Sequence, residues 1–304
     1  MPLTIATILA VFIMSIVDSR WHSVNKLTED YRHQLQLKLP DNFEFVFLRY
    51  GLLLFFTAVW TLGDVILTPE LKHHSAGVSL IHVVIIVSLL TQKTAWIAGV
   101  GMISLWCFSA YRYGFFHLSD YTIFLGIAIF MIISSIKPSI SPSALRFAVL
   151  YSAISITLQW ASIEKFVYPQ WTYPILDDVP HLSMGMDKVF FMNLAGYIEF
   201  ILAFMLISMT RISFLIGVLG LAALFIIAII DFGKIDAIGH SGIIVSLIVL
   251  ALRGPSKVNQ WFATLHSSPL INAFYVTLLY VASLTIFFLM YYGIRYVWLL
   301  TTTT

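Results

Sequence analysis

Long apolar runs separated by short polar breaks dominate the chain. Ten such runs stand near residues 2–17, 46–67, 76–91, 95–111, 119–136, 147–163, 189–208, 212–231, 239–252 and 270–294. A helix needs about 20 residues to cross a bilayer. The first, third and ninth runs are shorter, so they must draw in flanking polar residues or sit where the bilayer is thin. Unbroken runs such as 212–230 argue against a transmembrane β-barrel, whose strands read as alternating segments of about ten residues. The pattern predicts an all-α, polytopic membrane protein with about ten transmembrane helices. The first run has no basic stretch before it and no small-x-small cleavage pattern before Asp18, so it reads as a retained helix over 1–17, not a signal peptide.

Composition narrows the class further. Of 304 residues, 60% are hydrophobic and 11% charged, with a mean hydropathy of +0.92. Soluble domains carry about 25% charged residues, so a water-soluble or disordered chain is excluded. A net charge of +2 is too small to imply a nucleic-acid partner. The single cysteine, Cys107, excludes an internal disulfide and any multi-cysteine metal site.

Basic residues orient the chain. With ten spans, one side carries Arg20, Lys26, Arg32, Lys38, Arg49, Lys93, Lys137, Arg146, Arg211, Arg253 and Lys257. The other carries Lys72, Arg112, Lys165, Lys188, Lys234 and Arg295. The positive-inside rule makes the first side cytoplasmic and places both termini outside. Within the cytoplasmic segment 18–45, Val24, Leu27, Tyr31 and Leu35 recur at helical spacing between charges, which predicts an interfacial amphipathic helix over 22–39. Acids and histidines gather toward the outer half, among them Asp64, Asp120, Glu164, Glu199, Asp231 and His240.

An internal repeat is legible. Leu48-Arg49 and Leu145-Arg146 each open a span. Trp60, Asp64 and Pro69 match Trp160, Glu164 and Pro169; His82 matches Glu199, Gly114 matches Gly233 and Asp120 matches His240. The expectation is two four-helix units, 46–137 and 145–256, with one further helix at each end, the last within 270–304. An even number of spans per unit inserts both units in the same direction, as parallel repeats about an axis along the membrane normal.

Ionisable groups inside spans are costly and need a partner or a water path. Glu199 lies deep in its run, with Lys165 as its candidate partner. Glu164 and Lys165 are adjacent, about 100° apart on a helix, so one is expected to face the bundle and the other the headgroups. Asp231 and His240 flank a short outer turn. Glu199, Asp231 and His240 form the candidate catalytic set. Glu164, Lys165, Asp64, His82, Arg112 and Asp120 are candidate substrate-binding residues. Glu164, Glu199, Asp231 and His240 together are candidate ligands for a non-haem metal ion, since carboxylates plus imidazole suit iron, manganese, zinc or copper. Arg112 stands where the second unit has Asp231, so the first unit reads as the more structural one. Dinucleotide, Walker, nucleophile-elbow and Cys-x-x-Cys signatures are absent. With His82 alone inside a run, bis-histidine haem is disfavoured.

Residues 145–256 resemble the DoxX-like family of four-helix bacterial membrane proteins. The likeness rests on Leu145-Arg146, Lys165-Phe166, Gly196-Tyr-Ile-Glu199, Asp231-Phe-Gly-Lys and Gly239-His240. Residues 48–137 look like a degenerate copy, departing at His82, Arg112 and Asp120. The resemblance implies a bacterial inner-membrane location and redox work, with a quinone as cofactor or substrate and an extracytoplasmic redox protein as partner. Whether the chain is itself an enzyme, as a membrane oxidoreductase subunit, stays open. The expected function is therefore a redox-linked subunit with an outer-leaflet carboxylate/histidine site. A carrier for a metal ion or small polar solute, and a non-catalytic scaffold or maturation factor, are the alternatives. The carrier reading is weakened at this stage by the lack of any proline inside a span.

Overall fold

A computed structural model describes residues 2–20, 42–136, 143–263 and 268–302. The amphipathic helix expected over 22–39 lies outside the described residues. All ten apolar runs fold as helices. In chain order these are α1 (Pro2–Arg20), α2 (Phe43–Leu62), α3 (Ala76–Leu89), α4 (Ala95–Tyr113), the single turn α5 (Phe115–Leu118) leading into α6 (Ile123–Ile136), α7 (Ser143–Val167), α9 (Lys188–Ser208), α10 (Arg211–Phe232), α11 (Lys234–Arg253) and α13 (Pro269–Thr302), with two short helices, α8 (Tyr173–Asp178) and α12 (Lys257–Ala263), in the connections.

Among the described residues six helices are long and apolar enough to cross a membrane: α1, α2, α9, α10, α11 and α13. The segment Phe115–Tyr121 plus Ile123–Ser135 makes a seventh if its two parts, bent by 59°, count as one span. This supports a polytopic helical membrane protein; of the ten runs, six or seven meet the length and hydropathy of a crossing. At 14 residues, α3 stays short. The 25-residue α7 is long enough but carries Ser155, Gln159 and Ser162 in its buried face, which lowers its hydropathy.

The four helices α2, α3, α4 and α6 pack in sequence order, and so do α7, α9, α10 and α11. The two groups then join at both ends, α6 against α7 and α11 against α2, closing a circuit of eight helices. Each joint has a close approach. A Cβ on Gly126 of α6 would lie 2.0 Å from the Ala153 Cβ of α7, and one on Gly51 of α2 would lie 2.4 Å from Val245 of α11. Apolar helices in lipid gain most of their association from such tight packing at small residues. Outside the circuit, α1 and α13 pack on each other and against α7 and α9 around Val11, Trp160, Phe200, Tyr280 and Tyr291.

Asp18 fastens α1 to α10. Its carboxylate accepts from Thr210 N at 3.1 Å, Thr210 Oγ1 at 3.0 Å and Ser213 N at 3.0 Å. It thus caps the first turn of α10 from another helix, satisfying amides that have no partner within α10. At the C-terminal ends of α4 and α10 the chain stops at Gly114 (φ 86) and Gly233 (φ 77). Both are left-handed positions that other residues adopt only with strain. Each glycine N–H returns to the carbonyl four residues earlier, Ala110 at 2.9 Å and Ile229 at 2.8 Å.

Candidate functional site

A cavity of about 480 Å³ lies between the two four-helix groups, at the end of the bundle where α7 and α10 finish and α9 and α11 begin. That volume lies within the range of small-molecule sites. Its floor and walls are apolar, with Phe124, Ile127, Leu158, Leu221, Leu224 and Phe225 prominent. Polar groups line it as well, among them Glu70, His117, Asp120, Glu164, Lys165 and Glu199.

The ion pair at its centre follows from local sequence. Gly196 and Glu199 are three residues apart, so they share one face of α9. A Cβ on Gly196 would fall 2.8 Å from the Phe166 ring and 3.1 Å from the Ser162 carbonyl, so the glycine lets α9 settle against the last turns of α7. That approach brings Lys165 Nζ to Glu199 Oε2 at 2.7 Å, with about a quarter of each side chain exposed. Glu164 lines the same cavity. The expectation that Glu164 and Lys165 must face different surroundings is therefore corrected. The long lysine stem carries its ammonium round the helix to Glu199, leaving the carboxylate of Glu164 on the same side.

Asp120 owes its place to the break between α5 and α6. The turn Ser119–Tyr121 is 3₁₀, and Thr122, which starts the next segment, hydrogen bonds Thr157 of α7 through its hydroxyl at 2.7 Å. With no proline or glycine at 119–122, the bend is held by packing, at Thr122–Thr157 and at Gly126–Ala153. Asp120 Oδ1 is shielded from solvent and has no hydrogen-bond partner. On the facing wall, His240 Nδ1 pairs with the Asp236 carboxylate at 2.9 Å, one helical turn away on α11.

A compact hairpin closes one side. Residues 64–73 fold back through the Val65–Lys72 bridge and bury Ile66, Leu67 and Leu71. His82 is fully buried, and its Nε2 donates to the Ile66 carbonyl at 2.8 Å. The tip of the hairpin crosses to the second group of helices, where Pro69 and Glu70 lie beside Gly239 of α11.

The structure thus brings together Glu164, Lys165, Glu199, His240 and Asp120, but not the other candidates. Asp231 faces His181 of the α8–α9 connection at 2.9 Å and does not line the cavity, so the set Glu199, Asp231 and His240 is split. Asp64 is exposed and paired with His74. His82 serves the hairpin. Arg112 is exposed in the last turn of α4, beside a separate groove with Phe115 and Trp298. Among the described residues no three His, Cys, Asp or Glu side chains gather closely enough to hold an ion, so the four candidate metal ligands do not converge. Glu199 is turned to Lys165, His240 to Asp236 and Asp231 to His181. Sequence reasoning missed Glu70, His117 and Asp236 as cavity residues. Only Asp236 left a signal, its i,i+4 spacing to His240.

No family model, curated protein or solved structure matches the chain.

Proposed function

We propose that the chain is an integral membrane protein of two parallel four-helix units that enclose a binding cavity, and that it carries a small organic molecule with a polar head. The observation behind this reading is the cavity itself, built from both units beside a helix broken by 59°. Carriers place their sites at the interface of repeats, next to interrupted helices, and work by rocking one unit on the other. The break, invisible in the sequence, removes the earlier objection to a carrier. In this reading the basic residues of the opposite end face the cytoplasm of a bacterial cell and the cavity mouth faces outward.

Access from both sides is the test. In a Cys107→Ser background, Ala161→Cys places a thiol on the cavity wall. In sealed vesicles of defined orientation, a carrier exposes that thiol to a membrane-impermeant maleimide from each side in turn. Labelling confined to the mouth side rejects the carrier.

A second reading has its own support. Lys165, Glu199, Gly239 and His240, which carry part of the DoxX-like resemblance, all line the one cavity. A quinone bound there would take two electrons from an extracytoplasmic redox protein and two protons through the cavity carboxylates. Under that reading the purified protein retains a quinone, and Glu199→Gln lowers its occupancy.

A further inference from the structure

We infer that the molecule taken by this cavity is an organic cation, an amine with an apolar body. The inference rests on the carrier reading above and names its substrate class.

The charge balance of the lining points this way. Five carboxylates, Glu70, Asp120, Glu164, Glu199 and Asp236, face one ammonium, Lys165, and two imidazoles, His117 and His240. Lys165 answers Glu199, and His240 answers Asp236. Lys165 also lies within electrostatic reach of Glu164 and Asp120, and His117 of Glu70, so the single ammonium is shared among three of the five acids. Asp120 makes the case for a ligand and not merely for an acidic surface. Asp120 lines the cavity, and its Oδ1 is shielded from solvent with no hydrogen-bond partner in the protein. A buried carboxylate oxygen left unsatisfied is costly, and a bound ammonium donating an N–H removes that cost.

The rest of the lining selects the kind of cation. A bare metal ion needs several donors converging on one point, and none do so among the described residues. The cavity instead pairs its acids with Phe124, Leu221, Leu224 and Phe225. Such a surface removes an apolar body from water, and the aromatic side chains of Tyr121 and Phe124 also line it, a residue type that attracts cations. An anion would meet an excess of acidic groups over cationic ones and be disfavoured.

Four probes decide the matter with the full chain in lipid nanodiscs: 3-phenylpropylamine, its uncharged isostere butylbenzene, 3-phenylpropionate and a short-chain benzoquinone. Calorimetry is expected to show the amine binding roughly tenfold or more tightly than butylbenzene, and the propionate not at all. Asp120→Asn should weaken the amine by about thirtyfold and leave butylbenzene unchanged. Should Asp120→Asn fail to fold, Glu70→Gln at the exposed rim is expected to show the same selective loss at smaller size. Butylbenzene, propionate or quinone binding as tightly as the amine would overturn the inference while leaving a binding cavity in place. Failure of all four to bind would overturn the cavity reading itself. Equal loss of amine and isostere in the folded variant also counts against an amine contact at Asp120.

Discussion

Residues 43–136 leave their third helix at Gly114 and turn through a break into α6, whereas residues 143–253 leave theirs at Gly233 and run straight into α11. The glycine stop is the same and the outcome differs. In the first region the residue six places on, Asp120, is lodged in the cavity with an unanswered oxygen. In the second, His240 stands seven places on and is answered by Asp236 within its own helix. The second helices differ in the same way. His82 spends its ring nitrogen on the buried hairpin, while Glu199, which it matches in the proposed repeat, meets Lys165 across the cavity. The second helix of one region spends its polar group on a fastening and that of the other keeps it for the site, while the first region still sends Glu70, His117 and Asp120 to the cavity.

This contrast can be broken experimentally. The largest effect is expected where the two regions touch. Gly126→Leu must displace Ala153 and the Thr122–Thr157 bond, and overpacking of this kind costs about 3 kcal/mol or more. Loss of folded protein, followed by thermal unfolding in detergent, checks it. A mild effect would mean that the joint between α6 and α7 is loose.

Removing the cap on α10 comes next. Asp18→Ala leaves two amides and a hydroxyl unanswered, for an expected loss of about 2 kcal/mol; Asp18→Asn should recover part of it. If the first region uses its histidine as a fastening, His82→Ala should cost about 1–2 kcal/mol and raise proteolysis within 64–73 without altering ligand selectivity. A double-mutant cycle on Lys165→Met and Glu199→Gln should give a coupling of about 1 kcal/mol, since both side chains keep some solvent contact, together with altered ligand binding. The smallest effect belongs to His181→Ala. Its pair with Asp231 has one partner 70% exposed, so a change under about 0.5 kcal/mol is expected. A large loss there would restore Asp231 to the site.

Much of the architecture was legible because hydropathy is local. Each of the ten runs became a helix, and Gly114 and Gly233 ended helices as their matched positions suggested. The short ninth run reached 20 residues by extending back through Asp236 to Lys234, which is also how Asp236 came to the cavity. What escaped the sequence depends on distant partners. The break at 119–122 has no proline or glycine to announce it and is set by α7. Asp18 looked like the polar end of a span, and its task is visible only once Thr210 and Ser213 are beside it. Lys165 and Glu164 were judged by helical angle alone, and the reach of a lysine stem defeated that estimate. Asp231 was grouped with His240 by nearness in the chain, but Gly233 turns the helix away between them.

The pairing of α1 with α13 bears on how the protein is made. A ribosome delivers α1 before the other described helices and its principal neighbour, α13, after them. For most of that interval only lipid tails cover the outer flank of α1. Its hold on the rest begins with α9, where Thr4 meets Tyr197, and tightens when Thr210 and Ser213 emerge and Asp18 can seize the start of α10, so the clamp around the eight-helix circuit is fitted in two stages, an early latch and a late brace.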